Sequence, residues 1–235
     1  MTTETPIISA EHIHKTYDTG RVKVPALQGV TLSLLEGEMV AIMGPSGCGK
    51  TTLLNCLSGL DEIDSGVIQI AGTDLATLSD DRKTRYRATS MGYIFQAYNL
   101  LPVLSAQENV ELPLLVSGTD SKTARERAVS SLSLVGLTEW KQHYPSELSG
   151  GQQQRVTIAR ALVNQPEIVW ADEPTGNLDS ENSAEIMDLL TTLNKENRQT
   201  FVIVTHSDEV AARAHRIVKM QDGVIVDDGR HMSIS

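Results

Sequence analysis

No apolar run in these 235 residues approaches the ~18 needed to cross a bilayer as a helix. If the protein works at a membrane, another chain must supply the span. The opening, Met1-Thr2-Thr3-Glu4-Thr5-Pro6, has neither the basic stretch nor the apolar core of a secretory signal. Cysteine is scarce: Cys48 and Cys56 are too few for a disulfide framework, and reduced thiols in a cytoplasmic protein fit them best. Basic charge is short as well. A formal net charge of −10 argues against a motor that tracks nucleic acid, whose groove would be basic. The one local basic patch, Arg82-Lys83-Thr84-Arg85-Tyr86-Arg87, reads as a solvated helix face. Internal repeats and low-complexity tails are also lacking. What is left, 40% hydrophobic and 21% charged, is the composition of a globular protein. The length suggests one or two domains with a sizeable core.

Within that frame one stretch stands out: Gly44-Pro45-Ser46-Gly47-Cys48-Gly49-Lys50-Thr51-Thr52. It follows the apolar run Met39-Val40-Ala41-Ile42-Met43 and leads into the helix-like Leu53-Leu54-Asn55-Cys56-Leu57. Strand, glycine-rich turn and helix are the context of a phosphate-binding P-loop. The glycines let successive N–H groups point inward at an anion, and the helix adds its positive end. Lys50 would reach the β- and γ-phosphates, and the Thr51 hydroxyl would bind Mg²⁺. The bare pattern arises by chance in about one chain in a hundred of this length. The chain is therefore expected to bind nucleoside triphosphate. Cys48, among phosphate-facing amides, is expected to be open to alkylation without nucleotide and shielded with it; a buried, inert thiol is the alternative.

Residues 7–17 and 26–35, with Gly66 to Ile70, read as strands with short connections, hence antiparallel. Residues 74–89 read as a charged helix, and Met91 to Phe95 as a buried strand ending at Gln96. From Ala97 to Gly150 strand signals vanish, and Arg125 to Val135 carries helical spacing. Strand runs return at Pro166 to Asp172 and Thr200 to Thr205 with helical segments between, the pattern of a parallel sheet. Residues 217–227, broken by Asp222-Gly223, read as a hairpin. The expected fold class is α/β. It has a P-loop NTPase (RecA-like) core lobe over 1–96 and 151–235, with an antiparallel β-subdomain, and an inserted all-helical subdomain over 97–150.

Two further motifs carry chemistry. Ile168-Val169-Trp170-Ala171 ends in two adjacent carboxylates, Asp172 and Glu173, whose side chains diverge. One can hold Mg²⁺ and the other can face an attacking water; the assignment is Asp172 to metal and Glu173 to general base. Acids after a strand can also be helix N-caps. Trp170 is expected to pack the core without a functional role. Leu148-Ser149-Gly150-Gly151-Gln152 places a hydroxyl and two glycines at a helix start, either a second anion site or an ordinary cap by Ser149. A chain with one full phosphate cradle needs a phosphate from elsewhere to fill a second.

On these residues the sequence resembles the nucleotide-binding domains of ATP-binding-cassette (ABC) transporters over essentially its whole length. The resemblance implies a head-to-tail homodimer, or a pairing with a second ATPase subunit. Two ATP molecules with Mg²⁺ would each lie between one P-loop and the partner's Ser149 and Gly151. Gly150 and Gln152 complete that signature. Tyr17 matches the aromatic that stacks on adenine, with loose base specificity because stacking reads little of the base edge. Gln96 matches the glutamine that touches Mg²⁺ and reports to the membrane partner, Asp179 closes the D-loop Gly176-Asn177-Leu178-Asp179, and His206 matches the switch histidine near the γ-phosphate. With Lys50 and Glu173, His206 makes up the expected catalytic set. Taken singly, Tyr17 could be a core residue, and Gln96 and His206 satisfied loop groups.

Tyr93 to Pro102, Glu108-Asn109-Val110-Glu111-Leu112-Pro113 and Ala171 to Asp179 resemble the branch that releases lipoproteins and exports macrolides, which also includes a cell-division ATPase. The implied role is an ATP-hydrolysing subunit at the cytoplasmic face of the inner or plasma membrane. It would drive a separate integral membrane permease, with a regulatory ATPase of cell-wall remodelling as the alternative. The apolar cluster Tyr98, Leu100, Leu101, Val103 and Leu104 is expected to receive the permease near residues 96–104; simple packing of the helical subdomain is the other reading. Nucleic acid is not an expected partner.

Overall fold

The computed structural model describes residues 5–18 and 20–230; Met1 to Glu4, with most of the opening read above against a secretory signal, lie outside them. In chain order the strands are β1 (Ile8–Asp18), β2 (Lys23–Leu34), β3 (Met39–Met43), β4 (Ser65–Ile70), β5 (Thr73–Asp74), β6 (Met91–Phe95), β7 (Ile168–Asp172), β8 (Thr200–Val204), β9 (Arg216–Gln221) and β10 (Val224–Arg230). The helices are α1 (Lys50–Leu57), α2 (Asp80–Ser90), α3 (Ala106–Val116), α4 (Ser121–Leu134), α5 (Gly150–Leu162), α6 (Ser180–Asn197) and α7 (Asp208–Ala211). Two compact units divide them, residues 1–83 with 194–235, and residues 84–193.

In the first unit β1 pairs antiparallel with both β2 and β4, as the short connections foretold. A bulge between Ala10 and Ile13, with His12 at a φ of 51°, bends β1. The second set of strands is parallel where it matters: β3 lies between β8 and β9, in register Ile42 with Val204 and Ile42 with Val218. Four of five residues of β3 and all five of β8 are buried, so both read as unbroken apolar runs rather than alternating ones. The hairpin expected over 217–227 is β9 and β10, turning at Asp222-Gly223.

In the second unit β6 and β7 run parallel, with Phe95 opposite Asp172. A Cβ at Gly92 would strike the Ala161 carbonyl, so this glycine lets α5 lie directly on β6. Helices α3, α4 and α5 pack on one another. Trp170 is fully buried in β7, as core packing requires.

One expected element differs. The helix read over 74–89 begins only at Asp80, after a separate 3₁₀ turn, Leu75–Thr77. Asp74 caps that turn by accepting from the Ala76 N–H at 2.9 Å, and Leu78 is extended, which ends it before α2 starts. No residue of α2 is buried, so its Arg/Lys run is a solvated face.

Candidate functional site

The P-loop hangs between the end of β3 and α1, and its glycines answer to specific neighbours. Gly44 has a φ of 154°, and a Cβ there would meet the Met220 carbonyl and lie 2.8 Å from Cys48 Sγ. Gly49, at a φ of 102°, stands where a Cβ would strike the Ala26 carbonyl. Gly49 is also the N-cap of α1 and supplies no side-chain cap, which leaves the helix start to bind an anion through its amides. Lys50 Nζ donates to the carbonyls of Gly44 at 2.8 Å and Pro45 at 2.9 Å, tying the loop's first turn to its last. The β9–β10 turn braces the same loop: the Gly223 N–H donates to the Cys48 carbonyl at 3.0 Å, and the Gly223 carbonyl accepts from the Gln28 N–H at 2.9 Å. Pro45, Ser46, Gly47 and Thr51 are exposed, and Thr52 half-buried. This cradle fits a nucleoside triphosphate.

Cys48 corrects an expectation. Its side chain is only 5% exposed, turned under the loop against Gly44 rather than out among the amides. Iodoacetamide should therefore label Cys48 slowly with or without MgATP and readily after denaturation, as mass spectrometry of the modified peptide will report. Rapid labelling that MgATP blocks would restore the accessible thiol.

Tyr17, next to the last residue of β1, is 39% exposed. Its hydroxyl donates to Asp61 Oδ2 at 2.7 Å, and the side chain of Thr52, the last residue of the P-loop, is among the groups that act on its phenol. Lys15 binds the other Asp61 oxygen at 2.7 Å and holds its ammonium 5.1 Å from the Tyr17 ring centroid. Burial pushes the Asp61 carboxyl up, but hydrogen bonds from Lys15 and Tyr17 outweigh it and hold the group below its ordinary range. The phenol of Tyr17 is pushed up, first by burial and then by Asp61. The first unit thus sets a partly open aromatic beside the phosphate loop. His206, exposed, follows β8 by two residues, as Gly44 follows its register partner Ile42 by two, so the histidine and the loop leave the same edge of the sheet. The Thr205 N–H donating to the Ile42 carbonyl at 3.1 Å fixes that alignment.

In the second unit, Gln96 leaves β6 where Asp172 ends β7. Glu173, next in line, adopts a left-handed φ of 48°, a conformation that costs a non-glycine residue roughly 1–3 kcal/mol and clusters at functional sites. The Gly176 N–H closes the turn by donating to the Glu173 carbonyl at 3.0 Å. Asp172 and Glu173 are both half-buried, neither capping the helix that follows. That cap is Asp179: it accepts from the Asn182 N–H at 2.8 Å and the Asn182 amide at 2.7 Å, which hold its carboxyl below its usual range. Ser149 caps α5 in a reciprocal box with Gln152, accepting from the Gln152 N–H at 3.2 Å while Gln152 Oε1 accepts from the Ser149 N–H at 2.9 Å. The ordinary-cap geometry is therefore present, and it fixes the helix start whose amides the second-anion reading needs. A Cβ at Gly151 would collide with Asn182 Oδ1.

No group of three His, Cys, Asp or Glu side chains suited to a metal occurs among the described residues. Magnesium does not ask for one: it dehydrates reluctantly and takes one or two protein oxygens together with substrate phosphates. The first unit offers the Thr51 hydroxyl and the second the Asp172 carboxylate, each by itself an oxygen donor of the kind magnesium takes. Sequence reasoning missed Lys15 and Asp61 around Tyr17 and Arg160 around Gln96, and it named Asn177 and Asn109 only within longer motifs, without their roles. Asn109 is fully buried, its amide donating to the carbonyls of Leu101, Leu104 and Ser105.

Comparison with known proteins bears on the whole chain. The family model described as ABC transporter matches residues 27–176. A macrolide export ATP-binding/permease protein, MacB, of Chlorobium phaeobacteroides is 48% identical over 96% of this chain, which spans 34% of that relative's length. The lipoprotein-releasing system ATP-binding protein LolD of Bordetella pertussis is 47% identical over 95% of this chain and 96% of its own. Among solved structures, a dimeric post-hydrolysis state of the ATP-binding cassette MJ0796, bound to ADP and Pi, superposes with a TM-score of 0.88 at 42% identity, covering 97% of this chain and all of that one. With a phosphate cradle built on strand, glycine turn and helix, this chain belongs to the ABC transporter family, as an ATPase that binds ATP with Mg²⁺.

Proposed function

We propose that the chain is the ATPase subunit of a complex whose membrane subunit is a separate polypeptide, and that ATP-driven closure of a dimer powers extraction or export of a lipoprotein, peptide or macrolide. The observation that supports this reading is the phosphate cradle between β3 and α1, in a chain 47% identical to LolD and 48% identical to MacB over nearly all its residues. No described helix is long and apolar enough to cross a membrane. The protein would act at the cytoplasmic face. Within each protomer Lys50 binds the β- and γ-phosphates, Tyr17 stacks on adenine, and Thr51, Gln96 and Asp172 are the magnesium-facing groups. Glu173 takes the proton of the attacking water, and His206 supports the γ-phosphate. The partner's Ser149 and Gly151 complete each site. The core lobe over 1–96 and 151–235 would carry this chemistry, and the helical subdomain over 97–150 would pass its motion on.

Docking is assigned to residues 96–104. Leu101 is 43% exposed and Val103 77%, yet the backbone beneath them is held by the buried Asn109, whose Oδ1 also accepts from the Leu101 N–H at 2.8 Å. A rigid platform presenting apolar side chains suits a short apolar helix. Leu101→Asp should keep the isolated protein's basal ATPase and melting temperature while abolishing stimulation by the co-purified membrane subunit in vesicles. Unfolding of the isolated subunit, or undiminished stimulation, would remove the platform from the interface.

A further inference from the structure

Gln96 is gripped at two points. Its carbonyl accepts a hydrogen bond from Asn177 Nδ2 at 2.7 Å, and a Cβ at Gly176 would come within 2.8 Å of its Nε2. Because Gly176 has no side chain, the Gln96 amide lies directly over the turn that follows Glu173. Both segments that meet here are themselves anchored to α5. Tyr98 and Asn99, consecutive residues at left-handed φ of 59° and 49°, have their carbonyls held by the Arg160 guanidinium at 2.8 and 2.6 Å. On the other side the Pro174 carbonyl accepts from the buried Gln154 amide at 2.5 Å. The Asn177 bond therefore joins two segments already fixed, so little ordering cost is charged against it.

We propose that Asn177 is a positioning residue. It holds the Gln96 backbone so that the side-chain amide stays over Gly176, at the end of the strand pair where Asp172 stands. The inference rests on the reading of Gln96 as a magnesium-facing group and adds what keeps it there. Only the amide nitrogen of Asn177 can serve, because the group it meets is a carbonyl.

Two substitutions isolate that donor: Asn177→Ala removes it, and Asn177→Asp keeps its size but sets a carboxylate against the carbonyl. An exposed neutral hydrogen bond is worth roughly two- to tenfold in an equilibrium, and that is the expected range of effect. Hydrogen exchange on the nucleotide-free protein should show amides 97–100 exchanging faster by that factor. The Mg²⁺ concentration giving half-maximal ATPase should rise by the same factor, with the rate at saturating Mg²⁺ and the melting temperature nearly unchanged. Gly176→Ala, which displaces the Gln96 amide with Asn177 intact, should reproduce the Mg²⁺ shift, and Gln96→Ala serves as the reference. If Gln96→Ala shifts the Mg²⁺ requirement and neither Asn177 variant does, Asn177 does not position Gln96, although the role of Gln96 survives. If Gln96→Ala itself leaves that requirement unchanged, the reading of Gln96 fails and the proposal with it. Equal losses of maximal rate and melting temperature in the Asn177 variants, without a Mg²⁺ shift, would reduce Asn177 to a structural contact and overturn the inference.

Discussion

Glu173→Gln should retain ATP and lose turnover by about 10²–10⁴, the usual worth of a general base. The amide is nearly isosteric with the carboxylate but cannot accept the proton of the attacking water. Glu173 sits at a φ of 48°, and Gln would occupy the same strained backbone at the same cost, so the melting temperature should not move. Because ATP stays uncleaved, the variant should run as an ATP-trapped dimer on size exclusion, and the parent, which cleaves its ATP, should not be trapped in that form. Hydrolysis at the parent rate would end the assignment of Glu173.

Ser149→Arg should abolish ATPase activity while the monomer still binds ATP. The substitution removes the cap of α5, a loss of about 1 kcal/mol, against a typical domain stability of roughly 5–15 kcal/mol. The protein should stay folded, and inactivity would then report on assembly. The deciding measurement is a mixture with Lys50→Ala. In the heterodimer the intact P-loop of the Ser149→Arg chain faces the intact Ser149 of the other, so one good site survives. With one of its two sites intact, each heterodimer should regain up to about half the parent activity per dimer. No recovery in a complex shown to contain both chains would contradict sites shared across the dimer, and full activity of Ser149→Arg alone would contradict them more strongly.

What the sequence made legible is local. The P-loop, the acidic end of β7 and the Asp222-Gly223 hairpin are written in neighbouring residues, because strand, glycine turn and helix start each depend on a few adjacent side chains. The false start of the helix at residue 74 was also local in principle, since an Asp whose carboxylate can accept from the N–H two residues on is a turn former. The exposure of Cys48 was not local. Its Sγ turns in against Gly44, and its carbonyl is held by the Gly223 N–H of the β9–β10 turn, a distant partner that no pattern around residue 48 announces. The same holds for Asn177, whose partner lies 81 residues away, and for Arg160, which reaches back 61 and 62. Such residues look like ordinary polar positions on a loop or helix until the chain is folded. The cluster at 98–104 was read as apolar and so a candidate for burial or docking; the buried Asn109 that fixes its backbone is what separates a displayed surface from a core.

The brace between Gly223 and the P-loop has a consequence for how the protein is made. A loop finished by residue 52 has its floor supplied by the β9–β10 turn, and β9 is a direct neighbour of β3 in the sheet. At ribosomal speeds of about 5–20 residues per second, the nascent chain carries its glycine-rich segment for roughly ten to thirty seconds before that floor emerges. Helices α3 to α5 close on one another over shorter separations and can mature meanwhile. Competence to grip a nucleotide is thus acquired late in synthesis, and a ribosome stalled before the hairpin would leave behind a chain with a helical half formed and no lock on its phosphate loop.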